Sequence, residues 1–184
     1  TLSNTPTWID GLIGGGLNFA SASSEKAETS AAGLLTALQG LDTFTIAFWA
    51  RAAAYQTNPA GFAIRNGEDF GSMFLVLPYD TDGSPRTRIF YAGTSIIPAG
   101  AAAPLNEWNH FAFMSRSSTD HELFLNNVSI GTSSTPKSLP ATISDVSFAG
   151  LDSGNFLSAD IDVSFLGNRA LTIDELTALY EWRG

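Results

Sequence analysis

Short apolar runs, each closed off by Gly, Pro, Asn or Asp, recur along the whole chain and restrict its fold more than any other feature. "FTIAFWARA" (Phe44–Ala52) alternates with period two: Phe44, Ile46 and Phe48 point to one side, Thr45, Ala47 and Trp49 to the other. "SMFLVLPY" (Ser72–Tyr79) is apolar almost throughout, as in a strand covered on both faces. "RTRIFYAG" (Arg86–Gly93) alternates charge with bulk, and the turn residues Thr81–Gly83 with Ser84-Pro85 join the two as a hairpin. A second hairpin is predicted from "WNHFAFMSR" and "HELFLNNVSIG", folded across Ser117–Asp120, with Asn126-Asn127 turning into a short returning strand. "ISDVSFAGL" and "ADIDVSFLG" read as strands separated by a loop at Gly154-Asn155, and the Ala/Gly/Pro stretch Ile96–Asn106 reads as a surface loop.

Helical signals are two. Ser30–Leu41 carries Leu34, Leu35 and Leu38, but Gly33 and Gly40 limit it to about two turns. Thr172–Trp182 opens with a capping box, Thr172 followed by Glu175, and places Leu176, Leu179 and Tyr180 on one face. Many short strands with one closing helix predict an all-β, two-sheet antiparallel jelly-roll β-sandwich with a short C-terminal helix. Its 184 residues form one domain, 1–184, with neither repeat nor linker.

Composition removes several function classes. There is no cysteine, so disulfides and thiolate metal sites are excluded while the compartment stays open. Eighteen acidic against nine basic residues give a formal net charge of −9, with no Lys/Arg cluster, which argues against nucleic acid as a partner. No apolar run approaches the ~18 residues of a membrane span, so membrane insertion is not expected. The sequence starts at Thr1 without a signal peptide, consistent with a processed chain or an excised module.

Four stretches, in order, resemble the laminin G-like, concanavalin A-like jelly-roll domains, especially their bacterial and phage branch. They are "GGGLNFASASSEKAETS" (Gly14–Ser30), "FTIAFWAR", the pair Trp108-Asn109-His110-Phe111 and Leu123–Gly131, and "IDVSFLGNRALTIDELTALYEW". Asn168-Arg169-Ala170-Leu171 in the last is the most specific piece. Two places depart from the pattern: an acidic turn usual near the start is "ASASSEKAE" here, and Tyr55–Gly71 has little to align. The resemblance implies the fold; function does not follow, because such domains bind sugars, proteins or calcium, or only build structure.

The enzymatic candidate is "DIDVSF" (Asp160–Phe165). Glycoside hydrolases on such sandwiches carry alternating E-x-D-x-E, so the equivalent positions here are Asp160, Asp162 and Ser164 on one face. A hydroxyl then stands where a second essential carboxylate is needed, and retaining chemistry requires two carboxyls about 5–5.5 Å apart. No G-x-S-x-G accompanies the two histidines, His110 and His121. His110 reads as structural and His121 as a solvated turn residue. The expectation is a chain that is not an enzyme, a degenerate glycoside hydrolase being the remote alternative.

Hard cations take carboxylates and carbonyls, so a bound calcium is the one cofactor to expect. Its candidate ligands are Asp80 and Asp82 in one turn and Asp160 and Asp162 on the last strand, with Asp152 a further turn residue. "DTDG" opens like an EF-hand loop, but no Glu follows at the required spacing. The competing reading is that these Asp residues only make turns.

Sugars stack their apolar faces on aromatics and hydrogen-bond through their edges. Tyr79, Asp80, Asp82, Arg86, Arg88 and Tyr91 supply that combination on one hairpin; Tyr55, Asn58 and Asn66 supply it on a loop. Trp8, Trp49, Trp108 and Trp182 read mostly as core, and Asn127-Val128-Ser129 matches a glycosylation sequon by chance. The expected function is binding outside the cell or on a virion surface, with a glycan or a surface protein as partner. A structural or decoration role through self-assembly into a homo-oligomer is the alternative.

Overall fold

Phe44–Arg51 lies at the centre of one sheet and is buried from end to end except at Arg51. The computed structural model describes residues 1–67, 74–81, 84–91, 94–97, 101–151 and 154–182. In chain order the strands are β1 (Leu2–Ser3), β2 (Thr7–Asp10), β3 (Gly15–Phe19), β4 (Lys26–Thr29), β5 (Phe44–Arg51), β6 (Phe62–Arg65), β7 (Phe74–Asp80), β8 (Arg86–Tyr91), β9 (Thr94–Ile97), β10 (Asn109–Ser117), β11 (Asp120–Leu125), β12 (Val128–Ser133), β13 (Asp145–Phe148) and β14 (Ala159–Gly167). Helix α1 (Ala32–Leu38) and helix α2 (Ile173–Glu181) complete the set. The strands form two antiparallel seven-stranded sheets, β1-β4-β13-β6-β7-β8-β9 and β12-β11-β10-β5-β14-β3-β2, stacked as the predicted jelly-roll sandwich.

Both expected hairpins form. β7 pairs with β8, and β10 with β11, with Phe111 opposite Leu125 and Phe113 opposite Leu123. Asn126 and Asn127 have φ of 50° and 64°, the left-handed pair that a two-residue type I′ turn requires, and asparagine tolerates it. β13 and β14, adjacent in sequence, go to different sheets. Ile96 and Ile97, expected in a loop, are buried in edge strand β9.

Period two works as expected on β5. Phe44, Ile46 and Phe48 enter the space between the sheets, where Phe44, Phe74 and Phe113 meet with ring centroids 5.0–5.6 Å apart. Each such ring contributes about 1.5–3 kcal/mol by leaving water. Ala47 faces the other way, into a second cluster with Ala112, Met114, Phe124, Leu171 and Leu176. That cluster is the contact between α2 and the outer face of the β5 sheet, and explains why both faces of β5 are apolar. Helix α2 begins with the predicted capping box: Glu175 N donates to Thr172 Oγ1 at 3.2 Å and Thr172 N to Glu175 Oε2 at 2.8 Å. Tyr180 then stacks on Trp49 at 5.6 Å, and His110 lies 5.1 Å from Trp49 in the same layer.

Three expectations about single residues need correction. His121 is not solvated: it is fully buried, with Nε2 near the carbonyls of Ser118 and Thr135 and Nδ1 3.0 Å from Ser115 Oγ. Trp8 and Trp182 are not core residues, being 69% and 56% exposed. Ser164 does not share a face with Asp160 and Asp162. A bulge shifts the β14–β5 register there and gives Val163 a φ of 29°, so that Ser164 stands opposite inward-facing Phe48.

Candidate functional site

Helix α2 covers only part of the outer face of its sheet. Beyond Tyr180, towards the ends of β3, β5 and β14, the next row of outward side chains stays open. Its members are fixed by register: Thr7 is opposite Asn18, Asn18 opposite Asp160, and Asp160 opposite Arg51. Directly opposed residues share a face. Trp108, one residue before the Asn109–Ala50 pair, ends the row. The row spans five strands, about 19 Å at the usual inter-strand spacing.

Asp160 is its hub. Asn18 Nδ2 donates to Oδ1 at 2.7 Å, while Arg51 donates to Oδ2 from Nε at 2.9 Å and from Nη2 at 2.6 Å. The Arg51 guanidinium carbon lies 5.0 Å from the centre of the Trp108 ring, which anchors the cation to a half-buried aromatic. The two side chains of the ion pair keep 40% and 14% of their exposure. Beside them opens a cleft of ≈ 460 Å³ bordered by Asn18, Arg51, Asn106, Ser158 and Asp160. Its wall is tied to the second sheet through Gln56, whose side chain exchanges hydrogen bonds with Ser158 and whose N–H donates to the carbonyl of Tyr79.

The nine residues expected to bind a ligand are distributed differently. Asp82 lies outside the described residues. Tyr55, Asn58, Tyr79, Asp80, Arg86 and Arg88 do come together, but as an internal brace. Asp80 is fully buried; Oδ1 accepts from Asn58 N at 2.9 Å, and Oδ2 faces Arg86 at 3.4 Å and Arg88 at 3.1 Å. Arg88 also donates to Asn58 Oδ1. Tyr79, expected as a sugar platform, is wholly buried: its hydroxyl crosses the sandwich to donate to the Ala50 carbonyl at 2.9 Å, and burial pushes its pKa up to about 12. Tyr55 is half-buried and donates to the Ala103 carbonyl at 2.7 Å. Tyr91, the other expected platform, is wholly buried against Phe74, and desolvation raises its pKa. Tyr91 and the exposed Asn66 sit at the far ends of β8 and β6, away from this brace.

The described metal candidates do not converge, and Asp82 and Asp152 lie outside the described residues. Asp80 is on one sheet, Asp160 and Asp162 are on the other, and among the described residues no three His, Asp or Glu side chains form a cation-sized group. Asp162 Oδ2 accepts from Ile13 N and Oδ1 from Val163 N, each at 2.7 Å. That carboxylate holds the 11–14 turn and the bulge in place. Among the described residues, no helix is long and apolar enough to cross a membrane.

Sequence reasoning found Asp160 but assigned it to calcium or a lost catalytic strand, and it missed Arg51, Asn18 and Trp108 as its companions. The available signal was position: Asn18, Arg51 and Asp160 are polar residues among otherwise apolar strand ends.

A family model described as concanavalin A-like lectin/glucanases superfamily matches residues 22–177. No curated protein matches the sequence. Among solved structures, domain 4 of AbnA, an extracellular GH43 arabinanase from Geobacillus stearothermophilus solved with arabinotriose, superposes with a TM-score of 0.75 at 16% identity, covering 96% of this chain and 82% of that one. The CBM40 of the Ruminococcus gnavus IT-sialidase gives 0.71 at 15% identity, covering 90% and 96%. The botulinum neurotoxin serotype G binding domain gives 0.64 at 15% identity, covering 98% of this chain and 46% of that one. At these identities the likeness is one of fold.

Proposed function

The chain belongs to the concanavalin A-like lectin/glucanases superfamily, and from that premise we propose that it is a non-catalytic glycan-binding module acting outside the cell. The observation that carries this reading is the open row Trp108–Arg51–Asp160–Asn18 beside its cleft. It combines an aromatic, a fixed donor–acceptor pair and an amide on a rigid sheet, the side-chain set that saccharide rings and hydroxyls use. It needs no rearrangement to bind, because each side chain is already held by its neighbour.

Two features support the absence of catalysis. Asp160 and Asp162 each accept N–H bonds on both carboxylate oxygens, and the bulge at Val163 sends Ser164 to the opposite face. The position that would carry the second essential carboxylate is the hydroxyl of Ser164, turned to that opposite face, so the pair that glycoside cleavage needs is not assembled. The domain of an arabinanase solved with arabinotriose, and a sialidase carbohydrate-binding module, give the fold a precedent for sugar ligands.

The test is calorimetric titration with arabinotriose, other short oligosaccharides and polysaccharide fragments, alongside a reducing-end assay. Binding that is lost in Arg51→Ala and Trp108→Ala, at unchanged Tm and without release of reducing ends, is expected. Binding unaffected by both variants, or turnover, contradicts the reading.

A further inference from the structure

We infer that the ligand of this face is an uncharged saccharide offering adjacent hydroxyl groups, and that sialylated and uronic glycans are rejected. This rests on the glycan reading above and adds the ligand class. Arg51 is the cation in the open row, and its charge is already matched: Asp160 Oδ2 lies 2.6 Å from Nη2 and 2.9 Å from Nε. Among the described residues, Nη1 makes no hydrogen bond, so its N–H groups remain as donors beside a carboxylate acceptor. A hydroxyl both donates and accepts. Two neighbouring hydroxyls therefore fit the pair, one accepting from Arg51 and the other donating to Asp160. A ligand carboxylate has no proton to give. It would meet Arg51 only by approaching Asp160, where like-charge repulsion offsets the attraction.

The rest of the surface reinforces this selection. Of the cations that reach the surface, Arg116 is held by Glu122 and Arg169 by Glu175, so these also carry a matching acid. The whole chain has a formal charge of −9, which repels anionic glycans before contact. Asp160 is further fixed by Asn18 and cannot swing aside without losing that bond.

The experiment compares matched pairs on one array and by titration: lactose against sialyllactose, and α-1,4-linked galactotriose against trigalacturonic acid, with and without EDTA. The expected result is neutral sugars favoured by about tenfold or more over their acidic partners, insensitive to EDTA. Asp160→Asn, which keeps the size and the acceptor oxygen but removes the charge, is expected to narrow that ratio. Preference for the acidic member overturns this inference while leaving glycan binding intact, as does an unchanged ratio in Asp160→Asn. Failure of every sugar to bind overturns both.

Discussion

The Thr45 hydroxyl, on the floor of β5, accepts a hydrogen bond from Leu171 N at 3.0 Å, tying the segment that enters α2 to the central strand. The same hydroxyl donates to the Arg169 carbonyl at 2.9 Å. One buried oxygen thus satisfies two backbone groups at the point where the chain leaves β14 and turns back over the sheet. Thr45→Val keeps the shape and removes both bonds, and is expected to destabilise the domain by about 1–3 kcal/mol in chemical denaturation. A midpoint within error of the parent would show that α2 is held by side-chain packing alone.

Leu171 is the apolar half of that anchor, 7% exposed in the cluster with Ala47, Phe124 and Leu176. Leu171→Asp would bury a carboxylate in that cluster and is expected to cost more than about 3 kcal/mol. Thermal melting reads this directly, and a parental Tm would contradict the packing described.

Acid should loosen the same layer. His110 is 2% exposed, packs against both Trp49 and Tyr180, and has no hydrogen-bond partner for Nδ1 among the described residues. Burial lowers its pKa from 6.5 to about 4. The neutral imidazole is therefore the folded form, and between those pH values the unfolded chain binds more protons than the folded one. The contribution is complete above pH 6.5 and is lost as pH falls towards 4, by up to about 3 kcal/mol. Replacing the imidazole in His110→Gln should flatten that part of the stability–pH curve; a slope identical to the parent would rule His110 out as its source.

Tyr79 separates structure from binding. Its hydroxyl donates to Ala50 and accepts from Asn109 Nδ2 at 3.2 Å, linking the two sheets. Tyr79→Phe is expected to lower stability by about 1–2 kcal/mol and leave glycan affinity unchanged. A large loss of affinity at modest loss of stability would return the site to the β7–β8 hairpin.

The sequence made the fold legible where the signal is local. The alternation of Phe44 to Trp49, the Asn126-Asn127 turn and the Thr172–Glu175 box each act within a few residues, and each appears as expected. The site was not legible because its row takes single residues from β2, β3, β5 and β14 and the approach to β10, and only the register brings them side by side. Tyr79 and Tyr91 misled for a related reason. A tyrosine beside charged residues reads as an exposed platform, yet the body of each ring fills the space between the sheets. The bulge at Val163 left no mark in the residue types, although its one-residue shift reversed the facing of Ser164.

The central claim is that the open row on the β5 sheet, and no other face, receives the sugar. An NMR titration of the labelled domain with a neutral oligosaccharide tests it most directly. The account predicts saturable shifts at the Trp108 indole N–H, the Asn18 side-chain amide and the Arg51 Nε–H, with Asn58, Arg88 and Asn66 unmoved. Shifts confined to those last three, with the Trp108, Asn18 and Arg51 signals unchanged, would contradict it.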